Sequence, residues 1–317
     1  MTIIPASVII PTLDRRERLN QTIASLLAQN VRPAEIIIVD ASAPTTNTQD
    51  LPTPAEGIRL RCLGATTRGA AAQRNEGVAA ATQPFILFAD DDIDLEPDCL
   101  ATLWQTLRDD PPVGGCSAVI SNQSYHPPSR IMRWLYTLLG CPRTGPLAGR
   151  CCGPALNFLP AAEGPANQAV DWVNLCCTLF RREALPSPPL LDFFHGYSLM
   201  EDTALALQVA RRWRLVAPPA ARIYHDMRPA PYKNRVFARE RMEVVNRWFV
   251  MRCLMHQAGF AWALRQLAWQ SISLALSLRH AAGWRRLPAA VAGKIAGIAI
   301  VLLRGRRWRS YPEPAIT

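Results

Sequence analysis

The 317-residue sequence predicts an α/β fold, a mostly parallel sheet flanked by helices, followed by a helical region of different character. Two observations predict the sheet. Short apolar runs at Ala6–Ile10, Glu35–Val39 and Phe85–Phe88 read as strands buried on both faces. Stretches with helical spacing separate them, the alternation that places helices over a parallel sheet. A third observation sets the rear apart: Asp226 to the end carries 16 Lys/Arg against 4 Asp/Glu, while Met1–His225 carries 19 against 21. Length and a 49% hydrophobic content suit one substantial domain, 1–226, plus a smaller region, 227–317.

Taken in order, Ala6–Ile10 is a compact strand stopped by Pro11. Arg15–Gln29 follows with Leu19, Ile23, Leu26 and Leu27 at helical spacing. Glu35–Val39 is a second strand ending in Asp40, and Ala41–Gly57, rich in Pro, Thr and Ser, is loop. Ile58–Leu63 alternates as a third strand, Gly69–Ala81 is an alanine-rich helix bearing Arg74, and Phe85–Phe88 is the fourth strand. Pro97–Arg108 reads as helix, Gly115–Ser121 as strand and Arg130–Leu139 as an apolar stretch with two arginines; Cys141–Ala169 has no assignment. Val173–Phe180 returns to strand, Glu201–Trp213 is a helix opened by two acids, and Arg222–His225 is a short closing strand. Nine cysteines without a CxxC pair and matching ligand set argue against structural zinc, and with no basic, long-cored leader at Met1–Pro11 they read as cytosolic thiols.

The chemistry concentrates where the fourth strand ends, in Asp90, Asp91 and Asp92. Side chains alternate along an extended segment, so Asp90 and Asp92 can converge on one object. Adjacent carboxylates repel, which raises their pKa values unless a cation sits among them. A hard divalent ion that also holds phosphate oxygens suits such a site. Ligands of open α/β sheets sit beyond the carboxyl ends of the strands, where this triplet lies.

Together these pieces resemble the family 2 inverting glycosyltransferases, which have the GT-A fold with a Rossmann-like sheet. The matching stretches are SVIIPTLDRRERL (Ser7–Leu19), SLLAQ (Ser25–Gln29), EIIIVDAS (Glu35–Ser42), RGAAAQRNEGV (Arg68–Val78) and FILFADDDIDLEPDCL (Phe85–Leu100). FRREAL (Phe180–Leu185), MEDTALALQVARR (Met200–Arg212) and IYHD (Ile223–Asp226) complete the series. The resemblance implies a nucleotide-diphospho-sugar donor whose base is bonded by Asp40, with Pro11 and Thr12 lining the same pocket. It implies that Asp90 faces the ribose or diphosphate, that Asp91 is on the donor side, and that Asp92 binds Mn²⁺ or Mg²⁺ with His225 near the metal. Asp202 would be the general base with Glu201 beside it. Arg74 is a donor-side candidate, although a helix arginine is more often solvated or structural.

Two departures matter. Ala41 follows Asp40 where a second acid is usual, and Val244 stands where the QxxRW motif of processive synthases has glutamine before Arg247–Trp248. A single-transfer enzyme is therefore expected. His126 and His195 read as surface residues, and Trp172 with Phe193–Phe194 as core rather than sugar platforms.

Behind Asp226, Tyr232–Gln257 has cations at Lys233, Arg235, Arg239, Arg241, Arg247 and Arg252 between apolar residues, an amphipathic helix. Gln266–Leu278 and Ile295–Leu303 are apolar but shorter than the roughly 18 residues of a membrane span. Trp262, Trp269, Trp284 and Trp308 alternate with Arg265, Arg279, Arg285, Arg286 and the arginines of 304–309, which suits an anionic bilayer surface. No nucleic-acid motif accompanies the charge, so nucleic acid is not an expected partner. The sequence thus points to a metal-dependent inverting glycosyltransferase, peripheral on the inner face of the cell membrane, acting on a glycan or lipid-linked acceptor. A sugar-phosphate nucleotidyltransferase would need a Gly-rich loop after the first strand, and Pro11–Leu19 has no glycine. A non-catalytic, membrane-associated protein retaining the fold is the other alternative.

Overall fold

The structure is a computed structural model describing residues 2–123, 125–165, 167–226, 235–305 and 307–310. Tyr232, Lys233 and Arg306, counted in the cationic rear, lie outside the described residues.

The strands are β1 (Thr2–Thr12), β2 (Val31–Asp40), β3 (Arg59–Gly64), β4 (Phe85–Ala89), β5 (Ile93–Leu95), β6 (Val113–Ser117) and β7 (Val119–Ile120). They continue with β8 (Cys151–Cys152), β9 (Leu156–Asn157), β10 (Ala169–Val170), β11 (Cys177–Arg181), β12 (Arg214–Val216) and β13 (Arg222–His225). The helices are α1 (Arg16–Leu27), α2 (Ala70–Ala80), α3 (Cys99–Asp109), α4 (Arg130–Leu138), α5 (Glu201–Val209), α6 (Val236–Phe249), α7 (Phe260–Ser277) and α8 (Ala281–Arg304).

The main sheet has the order β10-β12-β6-β11-β4-β1-β2-β3. The pairs β4–β1, β1–β2, β2–β3 and β12–β6 are parallel, while β11 runs antiparallel between β4 and β6. A second sheet, β5-β13-β7, closes over the carboxyl end of β4. The mostly parallel α/β sheet expected from the apolar runs is therefore the observed one.

Alternation along the central strands divides their side chains between two cores. Val8, Ile10, Ile36, Ile38 and Leu87 pack with Leu19 and Ile23 of α1 and Leu100 and Leu103 of α3. Ile9, Ile37, Val39, Ile86 and Phe88 pack on the other face with Ala71 and Val78 of α2 and Ala204 and Leu205 of α5. Gly77 is required here, because a Cβ would stand 2.3 Å from Cγ2 of Ile9.

Several boundaries differ from those expected. β1 passes through Pro11 to Thr12 because β4 pairs it only as far as Ile9–Phe88, leaving Pro11 a partner on one side. Gly115–Ser121 is two strands in two sheets, with Ala118 at the switch. Val173–Cys176 is not strand, and α5 stops at Val209. The unassigned stretch after Cys141 contains the small hairpin β8–β9.

The largest correction concerns the rear. The apolar segment at Ile295–Leu303 belongs to a helix of 24 residues, long and apolar enough to cross a membrane and mostly unburied. Arg285, Arg286, Pro288 and Lys294 interrupt the apolar run in sequence but not the helix. Lys294 is buried, and its Nζ meets Oε2 of Glu240 at 2.8 Å and Oε1 of Gln270 at 2.6 Å. Gly293 and Gly297 let α8 close on α6: a Cβ at Gly293 would lie 2.5 Å from the Phe237 carbonyl oxygen. Arg247 donates to the carbonyls of Pro154 (3.2 Å) and Ala155 (2.6 Å), tying α6 to the hairpin. All nine cysteines are free thiols.

Candidate active site

Three strand ends and one helix start meet beyond β4. Register places Thr12 beside Asp40, so the ends of β1 and β2 lie together as expected. Their side chains, however, are engaged within the protein. Asp40 is buried, its Oδ1 accepts from the Ser42 amide at 2.8 Å and the Ser42 hydroxyl at 2.5 Å, and its Oδ2 accepts from the Thr46 amide at 2.7 Å. Burial pushes this carboxyl up, but those hydrogen bonds outweigh it and hold the pKa below the usual value. In this conformation Asp40 fastens the 41–46 loop rather than facing a base. Pro11 is buried, and Thr12 donates its hydroxyl to Oδ2 of Asp91 at 2.6 Å.

The three aspartates behave differently from one another. Asp91 is buried, accepting from Thr12 and, at 3.0 Å, from Arg15. Burial pushes it up to about 6, against the pull of Thr12 and Arg15. It braces the turn between the ends of β1 and β4. Asp92 accepts from Arg15 at 2.7 Å, and its Oδ1 lies 3.2 Å from Nε2 of His225. Burial raises its pKa, yet the His225 hydrogen bond and charge, with Arg15, bring it below the ordinary value. Asp90 is half-buried, and its Oδ1 accepts from Nη2 of Arg74 at 2.5 Å. The cations that sequence reasoning required among these acids include two of the chain's own guanidiniums, Arg15 and Arg74. Arg15 carried no signal beyond its place in the PTLDRRERL stretch.

Of the two bland alternatives for Arg74, solvated or structural, the structure shows the second. Arg74 is buried, and its other nitrogen, Nη1, bonds Oε1 of Glu201. One guanidinium therefore joins the end of β4 to the start of α5. Glu201 is buried and pushed up to about 7, chiefly by burial, with Arg74 opposing and Asp202 adding to the rise. Asp202 is half-buried, and its Oδ1 accepts from the Thr203 amide at 2.6 Å and hydroxyl at 3.2 Å. Its pKa is raised by burial in spite of those bonds. Met200, just ahead of the pair, is held at φ 72°, a costly conformation for a residue with a side chain.

Asn157 of β9 donates to the Thr203 hydroxyl and also lines a cavity of about 240 Å³ with Tyr125, Met132, Tyr136 and Phe158. A larger open cavity of about 700 Å³, lined by Pro112, Glu183 and Ala210–Arg214, lies at the opposite end of the sheet, where β6 and β12 begin. It touches none of these acids. As expected, His126 and His195 are exposed, Trp172 and Phe194 are core, and Phe193 stacks on Phe249 at 3.9 Å.

Beside these bonds, one group of side chains among the described residues has the spacing to hold a metal ion. Ligand atoms of Asp90, Cys176 and His225 lie within 4.8 Å of one another. Cys176 was not a sequence candidate, because the adjacent pair Cys176–Cys177 gives no metal-ligand spacing.

The profile of Glycosyl transferase family 2 matches residues 7–162. This stretch is a family 2 glycosyltransferase domain. It holds Asp40, Arg74 and Asp90–Asp92, whereas Cys176, Glu201, Asp202 and His225 lie beyond the match. The chain is 30% identical over 146 residues to the glucosyl-dolichyl phosphate glucuronosyltransferase of Haloferax volcanii, covering 44% of this chain and 46% of that protein. It is 31% identical over 114 residues to the uncharacterized glycosyltransferase YibD of Escherichia coli, 35% of this chain and 33% of that one. The chain thus spans half or less of the curated relatives it matches. It overlays on the mannosyltransferase PcManGT from Pyrobaculum calidifontis, solved with GDP-Man and Mn²⁺, with a TM-score of 0.49 and 16% identity, over 94% of this chain and 87% of that one. With GalNAc-T7, solved with UDP, GalNAc and Mn²⁺, the TM-score is 0.47 and the identity 15%, over 69% and 43%. At that distance the overlays add nothing to the profile match.

Proposed function

We propose that this family 2 domain transfers a sugar from a nucleotide-diphospho-sugar to a hydroxyl of a membrane-presented or lipid-linked glycan, once per encounter and with inversion. The observation that carries the reading is the buried Arg74, which bonds Asp90 at the strand end and Glu201 at the helix start. A donor over Asp90 and an acceptor over Asp202 would then meet across one rigid group.

In this reading Asp202 is the base. Inversion needs a carboxylate that takes the acceptor's proton as the hydroxyl attacks opposite the leaving diphosphate. Glu201 is buried against Arg74, whereas Asp202 is the more open of the two. Its raised pKa makes it, once ionised, a stronger proton acceptor than an ordinary aspartate. The cavity beside Asn157, two hydrogen bonds from Asp202 through Thr203, would receive the acceptor. Its aromatic walls suit a sugar face. Asp40, Pro11 and Thr12 would shape the base pocket through the loop they hold. A divalent ion such as Mn²⁺ or Mg²⁺, held by the acidic end of β4 with His225, would neutralise the departing diphosphate.

Exposed apolar side chains on three helices support a membrane location: Ile131, Trp134 and Leu138 of α4, Phe260 and Leu264 of α7, and Leu302 and Leu303 of α8. With the cationic rear they suit the anionic inner face of a cell membrane. The deciding experiment offers the full chain a panel of nucleotide-sugars with lipid-linked acceptors, following transfer and the anomeric configuration of the product by NMR. Inverted product from one donor is expected. Retained configuration would defeat the mechanism, and no transfer or donor hydrolysis from any member would defeat the reading.

A further inference from the structure

A hydroxyl has one hydrogen to give, and at Thr203 the direction of that hydrogen is set from outside its own helix. Thr203 is fully buried and follows Asp202 directly in α5. Its amide donates to Oδ1 of Asp202 at 2.6 Å, and its hydroxyl donates to the same oxygen at 3.2 Å. Nδ2 of Asn157, on β9, donates into the Thr203 hydroxyl oxygen. A carboxamide nitrogen only donates, so this bond takes a lone pair of the hydroxyl and keeps its hydrogen for the carboxylate. Left alone, a helix threonine turns that hydrogen to a carbonyl three or four residues earlier. Asn157 is itself oriented. Its Oδ1 accepts from the Cys151 thiol at 3.7 Å, across the β8–β9 pairing, which leaves Nδ2 to face Thr203. The hairpin that carries it is held to α6, where Arg247 donates to the Ala155 carbonyl at 2.6 Å.

We propose that Asn157 is a positioning residue for the base: from the wall of the acceptor cavity it turns the Thr203 hydroxyl onto Oδ1 of Asp202, which leaves Oδ2 to take the acceptor's proton. This role rests on the reading of Asp202 as base and of the cavity as the acceptor's seat. Two donors on one oxygen fix the plane of the carboxylate. They also favour its ionised form, against the burial that raises its pKa. Of the other groups around this carboxyl, Arg74 of α2 works with Thr203, while Asp90 at the end of β4 and Glu201 of α5 work against it. The Tyr197 phenol and the Cys151 thiol, both pushed up by burial, face it as neutral groups. Losing the hydroxyl bond therefore raises the pH at which Asp202 ionises. An Asn157 that only braced the hairpin would leave that pH where it is.

Full-length protein carrying carboxyl-labelled aspartate reads this by carbon NMR without any substrate, the Asp202 signal being the one missing from Asp202→Asn. Thr203→Val keeps the shape and should raise the pH of that titration by about one unit, the worth of one hydrogen bond to a charged group. Thr203→Ser keeps the hydroxyl and should keep the wild-type value. Asn157→Leu should give part of the valine variant's shift and add nothing to it in the double variant, because the two side chains act in series. Asn157→Ala takes its place should the leucine variant fail to fold. No shift in Thr203→Val, no shift in the Asn157 variant, or shifts that add in the double variant overturn the proposal. The acid limb of kcat/KM, measured with the nucleotide-sugar that the donor panel selects, separates this proposal from the reading beneath it. A limb that moves with the carbon signal supports both. A carbon signal that moves while the limb stays keeps the hydrogen bonds and takes the role of base from Asp202. No carbon shift in a protein that Asp202→Asn inactivates refutes the part given to Asn157 alone.

Discussion

Replacing Arg74 by methionine removes the one group that joins the two halves of the candidate site. Arg74 is buried and bonds both Asp90 and Glu201. Breaking a buried ion pair from one side costs about 3–5 kcal/mol, because the remaining charge is left uncompensated. The structure adds a pH signature. Glu201 sits at about 7 with the guanidinium beside it, burial being the main cause, and Arg74 is what pulls it down. Without Arg74 the carboxyl holds its proton to higher pH. Above about pH 7 the folded variant then carries a proton that both the wild type and the unfolded chain have lost. Its stability falls relative to wild type by about 1.4 kcal/mol per pH unit until the variant's carboxyl ionises. Below that, Glu201 is protonated in both folded proteins and the difference is smallest and flat. Urea unfolding followed by the fluorescence of the nine tryptophans, between about pH 6 and pH 9, measures this. A difference under about 1 kcal/mol at every pH, or one that shrinks as pH rises, would refute the ionic link.

Asp202→Asn should keep donor binding and lose turnover at least about a hundredfold, with Glu201→Gln milder; the opposite order, in steady-state kinetics, would give the base to Glu201. Gly293→Ala puts a Cβ 2.5 Å from the Phe237 carbonyl oxygen and should destabilise the α6–α8 contact by about 1–3 kcal/mol, exceeding the roughly 1 kcal/mol gain in helix propensity; an unchanged or raised melting temperature would count against this packing. The full chain should sediment with anionic vesicles at low salt, less so as salt rises and less so for Leu302→Ser with Leu303→Ser, and failure of the wild type to bind at low salt would remove the membrane from the proposal.

The sheet and its acidic edge were legible because their signals are local. β4 is an apolar run that ends in charge, and β13 was read with its observed bounds. The strands that went unread, β5, β8, β9, β10 and β12, are two or three residues long, too short to show a period. The partnership within the site was not legible. Arg74 and Glu201 are 127 positions apart, and nothing local distinguishes Arg74 from a solvated helix arginine. Cys176 and His225 come close to Asp90 only through the pairing of β11 with β4 and of β13 with β5, which no local pattern shows. The full length of α8 was hidden because Lys294 looks like an interruption unless Glu240 and Gln270 of neighbouring helices are known to meet it.

That seam between α6 and α8 has a geometric consequence. α8 is fastened to α6 by Lys294 and two glycines, α6 is fastened to the hairpin by Arg247, and the hairpin reaches Thr203 beside Asp202 through Asn157. Pulling α8 alone into hydrocarbon would strip Lys294 of its partners or drag Glu240 in with it, so the helix pair would float at the headgroups instead of piercing them. On a membrane this linkage works as a ruler. The height of the carboxylate above the lipid would be set by helices in contact rather than by a slack tether. Acceptors would then be sorted by how far their reactive hydroxyl stands off the bilayer, before any contact with the sugar itself.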